Sequence, residues 1–177
     1  MLLGSIFNLL AQRSRENGKP QLKNNIVLFG AEIPLGNFSS THLPGIGIEY
    51  SRSKKRFGIL SAADIKKIAF VYGGGAAIYI GKKETVSLYP YKYPAYIFIK
   101  TTAGVLYKPG SKSGFTITAG PAIGIYNGNT QFNLSSKLEG HYFLNAKFAI
   151  TPGFILMKEM TVADPLIVVS LKASLAF

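Results

Sequence analysis

The stretch that decides the fold is Leu166 to Phe177, which reads LIVVSLKASLAF. Its residues alternate with a period of two, so that one face carries Ile167, Val169, Leu171, Ala173, Leu175 and Phe177. The other face carries Val168, Ser170, Lys172, Ser174 and Ala176. One face is wholly apolar and the other is mostly polar or small. This pattern is typical of a transmembrane barrel strand, in which about 9–11 residues alternate between lipid and lumen.

The composition of the 177-residue chain points in the same direction. Hydrophobic residues make up 47% of it and charged residues only 16%, whereas ordinary soluble domains carry about 25% charged residues. A chain with this many hydrophobic residues needs either a large core or a lipid-facing surface. Gly, Lys, Pro or Ser interrupts every apolar run, so no segment is long enough for a transmembrane helix. A closed barrel is the other structure that satisfies every backbone group inside a bilayer.

Period-two alternation continues through the chain from Asn25 onward. We expect residues 25–177 to form one all-β domain, an eight-stranded antiparallel up-and-down transmembrane barrel, whose even strand number puts both termini on the same side. Pro121 removes a ladder donor and predicts a bulge. The long connection at 127–138 fits poorly, because it falls on the side of the termini, where known barrels have short turns. The predicted strands are 25–34, 44–57, 67–81, 84–92, 95–108, 113–126, 139–157 and 165–177.

Residues 1–24 precede the predicted barrel. The first twelve, MLLGSIFNLLAQ, are apolar and end like a secretory signal peptide, although the basic n-region is missing. A gene start placed too late and a short amphipathic helix are the alternatives. The remainder of 1–24 is polar and basic, which is typical of a flexible lead-in.

The segment GFTITAGPAIGIYNG, from Gly114, together with the final SLKASLAF resembles small bacterial outer-membrane β-barrel proteins of the porin-like/OmpA-like, Bacteroidetes-type kind. The resemblance extends over about residues 25–177. It implies a location in the outer membrane of a Gram-negative bacterium. It also implies that Leu171, Leu175 and Phe177 form the C-terminal signal that the outer-membrane insertion machinery recognises.

Five charged residues fall on the polar faces of predicted strands, and we expect them inside the barrel. An eight-stranded barrel has an interior just wide enough to be filled by side chains, and buried charges must be paired or hydrated. We therefore predict an ion-pair network in the lumen. The network either completes a satisfied polar core or lines a narrow, gated pore. Its predicted members are Glu32, Glu49, Lys100, Lys147 and Lys172.

The segment LYPYKYPAY contains four tyrosines, Tyr89, Tyr91, Tyr93 and Tyr96. Tyrosine is enriched at membrane–water interfaces, where its ring is apolar and its hydroxyl is hydrated. The segment therefore predicts part of an aromatic belt around a turn. The alternative is a docking strip for a partner protein or a glycan.

The formal net charge of the chain is +12, and its basic residues form short groups at predicted strand ends. This spacing favours rim positions over a nucleic-acid-binding face, so we expect no nucleic-acid partner. Cations at a bilayer edge contact anionic head groups, and we expect contacts with outer-membrane lipid or lipopolysaccharide, or with other envelope proteins. The predicted basic rim is Arg52, Lys54, Lys55, Arg56, Lys82 and Lys83.

The sequence contains little that could support catalysis. It has no Cys, and its two His, His42 and His141, have no neighbouring motif. An acyl-transfer site with Ser135 or Ser136 has no support from spacing, and the Gly-rich stretch from Tyr72 lacks the residues of a phosphate-binding loop. We expect no enzymatic activity, no metal and no cofactor. A lipid-modifying enzyme and a narrow pore are the weaker alternatives.

The main alternative to a membrane barrel is a soluble one that binds a small apolar ligand inside. The two differ in which way the strand faces point. In a soluble barrel Leu171, Leu175 and Phe177 would be buried, whereas Lys172 and Ser174 would be in water.

Overall fold

A computed structural model describes residues 25–54, 68–86, 89–110, 112–145, 147–160 and 164–177. These residues form a closed eight-stranded barrel, a separate two-stranded ribbon and one short helix. In chain order the elements are β1 (Asn25–Leu35), α1 (Asn37–Thr41), β2 (Gly45–Lys54), β3 (Ile68–Tyr79), β4 (Lys83–Val86), β5 (Tyr89–Lys92), β6 (Tyr96–Tyr107), β7 (Ser113–Tyr126), β8 (Asn129–Phe143), β9 (Phe148–Glu159) and β10 (Leu166–Ala176). No helix among them is long and apolar enough to cross a membrane.

The barrel closes because its first and last strands pair antiparallel, from Ile26 opposite Ala176 to Leu35 opposite Ile167. Every other barrel strand pairs with the next barrel strand along the chain, and β3 pairs with β6 across the ribbon. The predicted eight-stranded antiparallel up-and-down barrel is therefore confirmed. Asn25 and Phe177 lie at one end, which we call the terminal end, and the opposite end is the loop end.

Two of the predicted strands are wrong, and the two errors offset each other in the count. The predicted strand 84–92 lies outside the barrel, because β4 and β5 pair only with each other. The predicted strand 139–157 is two barrel strands, since the chain reverses between Phe143 and Phe148. Alternation marks which side of a sheet a residue faces, but it identifies neither the partner strand nor the position of a turn.

The predicted long connection at 127–138 is also wrong. The chain turns at Asn127 and Gly128, whose φ angles are 50° and 76°, and β8 begins at once. An Asn-Gly pair adopts positive φ readily and is typical of two-residue hairpin turns. This turn lies at the loop end, so the mismatch in loop length disappears.

Pro121 does not produce the predicted bulge. Its pairing with Leu134 on β8 is continuous with the rest of that ladder. On the β6 side the described pairs stop at Lys100–Ala122 and resume at Ala103–Ala119 in the same register. The proline therefore interrupts one ladder, because it lacks an N–H, without adding a residue to the strand.

The barrel turns its apolar faces outward. Leu171, Leu175 and Phe177 are 59%, 42% and 51% exposed, whereas Lys172 and Ser174 are 1% and 4% exposed. On the other barrel strands large apolar side chains likewise face outward. The lumen holds most of the buried polar and charged side chains, together with a cluster of buried apolar ones that includes Phe98 and Met157. The soluble-barrel alternative required the reverse orientation, so the structure contradicts it.

Candidate functional site

Six charged side chains from five strands meet in the middle of the lumen, and none is more than 6% exposed. We call this group the lumen cluster. Three are carboxylates and three are ammonium groups, so its formal charge is zero. Its members are Glu32 on β1, Glu49 on β2, Lys100 on β6, Lys137 and Glu139 on β8, and Lys172 on β10.

Glu49 is the centre of the lumen cluster. Its Oε1 lies 2.7 Å from Lys100 Nζ, and its Oε2 lies 2.5 Å from Lys137 Nζ. Lys172 also donates a hydrogen bond to Glu49, and its Nζ lies 2.8 Å from Glu32 Oε1. Lys137 Nζ is in addition 2.9 Å from Glu139 Oε2. Burial of these charges is tolerable because each has an opposite charge in contact.

Inward-facing glycines leave the space that the three glutamates fill. A Cβ atom on Gly47 would lie 2.8 Å from Glu32 Cδ, and one on Gly153 would lie 2.9 Å from Glu139 Cγ. On Gly75 it would lie 3.0 Å from the backbone Cα of Glu49. The lumen is thus packed tightly around the cluster, as expected for a barrel of eight strands.

Four of the five predicted network residues, Glu32, Glu49, Lys100 and Lys172, lie in the lumen cluster. The prediction for Lys147 is wrong: this residue is exposed in the turn between β8 and β9, because the predicted strand 139–157 passed over that turn. Sequence reasoning missed Lys137 and Glu139 for a related reason, since β8 begins ten residues earlier than expected. The alternating polar residues that follow the Asn-Gly turn were the available signal.

A lid of aromatic side chains closes the loop end of the lumen. Phe38 of α1 is buried, and its ring centroid lies 5.0 Å from that of Tyr79 and 5.5 Å from that of Tyr96. Tyr96 does not belong to an exposed belt or docking strip, because its side chain faces the lumen and its hydroxyl donates to Glu159 Oε1 at 3.0 Å. Its place in the predicted set is therefore wrong.

His42 joins the lid to the chain that follows the ribbon. Its Nε2 lies 3.2 Å from the carbonyl oxygen of Pro94, and its ring lies 4.6 Å from that of Phe38. Burial lowers the pKa of the His42 imidazole below its ordinary value. The lid is thus anchored on both of the longer connections at the loop end that the structure describes.

The two hydrogen-bond partners of the His141 imidazole lie on the terminal side of the lumen cluster. His141 lies between two threonines, with its Nε2 2.6 Å from Thr116 Oγ1 and its Nδ1 3.1 Å from Thr151 Oγ1. Ser135 is buried without contacting this imidazole through a hydrogen bond. In the part of the chain that the structure describes, no group of His, Asp and Glu is placed to hold a metal ion.

A ring of outward-facing aromatic side chains surrounds the terminal end, and we call it the aromatic girdle. Its members come from six neighbouring strands and from the residue that follows β10, and Tyr107 and Phe115 lie directly opposite each other. The segment 89–96 was expected to form such a belt, but Tyr89 and Tyr91 are exposed on the ribbon at the loop end. The girdle residues are Tyr50, Tyr72, Tyr107, Phe115, Tyr142, Phe148 and Phe177.

The residues of the predicted basic rim are divided between the two ends of the barrel and do not form a single rim. Arg52 and Lys54 lie where β2 reaches the terminal end, whereas Lys82 and Lys83 lie where the chain leaves β3 at the loop end. Lys55 and Arg56 lie outside the described residues.

Comparison with known proteins identifies the fold but no sequence family. No family model matches the chain, and no curated relative matches it. Among solved structures, the chain is similar to the crystal structure of Ail, the attachment invasion locus protein of Yersinia pestis, with 10% identity and a TM-score of 0.53 over 87% of this chain and 96% of that one. It is also similar to Ail in a phospholipid bilayer nanodisc, with 12% identity and a TM-score of 0.56 over 88% and 99% of the two chains. A third match is Ail in complex with the heparin analogue sucrose octasulfate, with 7% identity and a TM-score of 0.54 over 87% and 96%. The likeness shows a common eight-stranded barrel.

Proposed function

We propose that this chain spans the outer membrane of a Gram-negative bacterium as a closed, filled barrel with a structural or interaction role. The observation that carries the proposal is the apolar outer wall. On β7 every outward residue from Phe115 to Ile125 is apolar, namely Phe115, Ile117, Ala119, Pro121, Ile123 and Ile125. At about 3.3 Å per residue and a tilt of about 40°, this span is about 25 Å tall. That is the height of the lipid-facing band of outer-membrane barrels.

The aromatic girdle supports the same conclusion. Aromatic residues gather at the borders of the lipid-facing band, where their rings meet the head groups. Here they encircle the apolar wall at its terminal end. In water such a wall would be a large exposed apolar surface, which soluble monomers rarely carry.

The filled lumen argues against transport and catalysis. The lumen cluster occupies the middle of the barrel and the aromatic lid closes the loop end, so no passage connects the two ends through the described residues. The surfaces left for function are the outer wall and the two ends. We infer that the loop end contacts lipopolysaccharide or other envelope proteins, as Ail was solved in complex with a polyanionic heparin analogue.

The last strand fits a role in insertion. Leu171, Leu175 and Phe177 face outward on β10, which closes the barrel by pairing with β1. We propose that the insertion machinery recognises these side chains before the barrel closes. The narrower porin-like/OmpA-like type rests on the sequence motifs alone.

Membrane fractionation of cells that express the chain tests this proposal. We expect the protein in the outer-membrane fraction, with heat-modifiable migration on a gel because a closed barrel resists detergent unless boiled. Purified barrel in a planar bilayer should show no open channel. Recovery in the soluble fraction would refute membrane insertion, and a steady ohmic conductance would refute the filled lumen.

A further inference from the structure

The loop end carries a groove in which lysines lie next to an apolar floor. The groove is open to solvent and is formed where the chain leaves β3 and enters the ribbon. We call it the ribbon groove. Its lining residues are Leu43, Ile80, Gly81, Lys82, Lys83, Glu84 and Lys92.

Two of the lysines occupy paired positions on the ribbon. Lys83 and Lys92 are directly opposite on β4 and β5, a position in which like charges destabilise a strand pair. Neither takes part in an ion pair among the described residues. Glu84 is the one carboxylate in the lining, and the Tyr93 hydroxyl donates to it at 3.3 Å. Three ammonium groups against one carboxylate leave the groove with a formal charge of +2, which favours an anion.

The third lysine is fixed in place by α1, the helix that carries Phe38 of the lid. Lys82 Nζ donates to the Ser39 carbonyl oxygen at 2.6 Å, and its backbone N–H donates to the Thr41 carbonyl oxygen at 2.8 Å. The Tyr93 N–H in turn donates to the Lys82 carbonyl oxygen at 2.9 Å. The start of the ribbon is thus attached to α1, and a groove built in this way needs little ordering when a ligand binds.

The floor of the ribbon groove continues into the outer wall. Ile46 and Ile78 are opposite each other on β2 and β3, and the Leu43 N–H donates to the Ile80 carbonyl oxygen one step nearer the loop end. These four side chains are between 43% and 56% exposed. Moving toward the loop end, the surface therefore changes from branched apolar side chains to lysines within a few residues.

We propose that the ribbon groove binds a phosphate group of a glycolipid in the outer leaflet, with the acyl chains of that lipid against Ile46, Ile78 and Ile80. This rests on the proposed function, because the apolar column faces acyl chains only in a membrane. The order of surfaces matches such a lipid, whose phosphates lie just above its chains. A soluble phosphate would use the lysines and leave the apolar floor empty, so the groove fits a lipid better than a free anion.

The test measures the affinity of lipid A, the phosphorylated glycolipid anchor of lipopolysaccharide, for the wild-type barrel and its variants in phosphatidylcholine nanodiscs. Lys83→Gln combined with Lys92→Gln removes the unpaired cations and leaves Lys82 to hold the lid. At about 1 kcal/mol per lysine near an anionic surface, lipid A should bind about thirtyfold more weakly. The double replacement by arginine should retain binding, because it retains the charge.

A matched control changes the same number of charges at the other end. Arg52→Gln combined with Lys54→Gln removes two exposed cations at the terminal end and should leave lipid A binding unchanged. Equal losses of lipid A affinity in the two double glutamine variants would overturn the assignment of the site to the ribbon groove. An unchanged affinity in the Lys83→Gln, Lys92→Gln variant would overturn it as well. Displacement of lipid A by equimolar glucosamine phosphate would overturn the assignment to a lipid. Insertion of each variant into lipid-A-free nanodiscs is measured first, and failure of the wild type there refutes the membrane proposal itself.

Discussion

Replacing Glu49 by glutamine removes the carboxylate that Lys100, Lys137 and Lys172 share, while the shape of the side chain is nearly kept. Lys137 retains Glu139 at 2.9 Å, and Lys172 retains Glu32 at 2.8 Å. Lys100 loses its one ion-pair partner among the described residues. It is 3% exposed, so its ammonium group cannot regain water without disturbing the barrel.

An uncompensated buried charge of this kind costs about 3–5 kcal/mol. We expect Glu49→Gln to lower the free energy of unfolding by that amount. Lys100→Met alone should cost less, because Glu49 keeps two ammonium partners. The double variant should recover at least about 2 kcal/mol relative to Glu49→Gln, since it has no orphaned cation.

Reversible urea unfolding in phospholipid vesicles measures these differences by linear extrapolation. Glu84→Gln, on the exposed ribbon, is the control and should change stability by less than about 0.5 kcal/mol. A loss below about 1 kcal/mol for Glu49→Gln would refute the reasoning, because the lumen would then be hydrated enough to screen the charge. Failure of Lys100→Met to rescue it would show that the cost does not come from the orphaned ammonium group.

Three further predictions concern packing, protonation and closure. Gly47→Ala should lower the free energy of unfolding by about 1–3 kcal/mol in the same assay, because its Cβ would press on Glu32. Gly140→Ala is the control and should be neutral, because a Cβ there has no neighbour nearer than 3.9 Å. Equal effects of the two substitutions would contradict the tight packing. By NMR, the pKa of His42 should lie below the ordinary value of 6.5. Because the unfolded chain then takes up the proton at a higher pH than the folded one, the stability of the lid should fall as the pH drops below 6.5. An unshifted titration would contradict burial of the ring. Phe38→Ala should remain non-conducting in a planar bilayer because the lumen cluster still blocks the barrel, and an open channel would show that the lid is the main seal.

Alternation was sufficient to predict a barrel and the residues that share each face, and the structure decided that the apolar face points outward. Because the period along a strand is two, a polar residue on the face opposite the apolar one, such as Glu32, Glu49, Lys100 or Lys172, faces the lumen once the apolar face points outward. That these four side chains also meet at one level depends on register. Register follows from the pairings along the whole sheet, so the sequence of one strand does not determine it.

The errors arose where local pattern does not determine the partner. The ribbon strands alternate as a barrel strand does, although they pair only with each other. The turn at Asn127 carried its own signal in the Asn-Gly pair, and recognition of that signal would have placed Lys137 and Glu139 in the lumen. The lid had no periodic signal, because α1 is a single short turn in a connection. Tyr96 was assigned to a belt because its neighbours in sequence are tyrosines, whereas its side of the strand decides its environment.

Cysteine labelling at two adjacent positions tests most directly whether the outer wall faces lipid and the lumen is filled. The chain contains no cysteine of its own. Leu171 and Ser170 are neighbours on β10, 59% and 1% exposed respectively. In vesicles we expect a charged, water-soluble maleimide to leave both variants unmodified, because Leu171→Cys faces lipid, where its thiol stays protonated, and Ser170→Cys faces the filled lumen. A nitroxide attached to Leu171→Cys before folding should be relaxed by oxygen, which dissolves in lipid, and not by a water-soluble nickel chelate. Labelling of Ser170→Cys by the charged reagent, or of Leu171→Cys from water, would contradict the account.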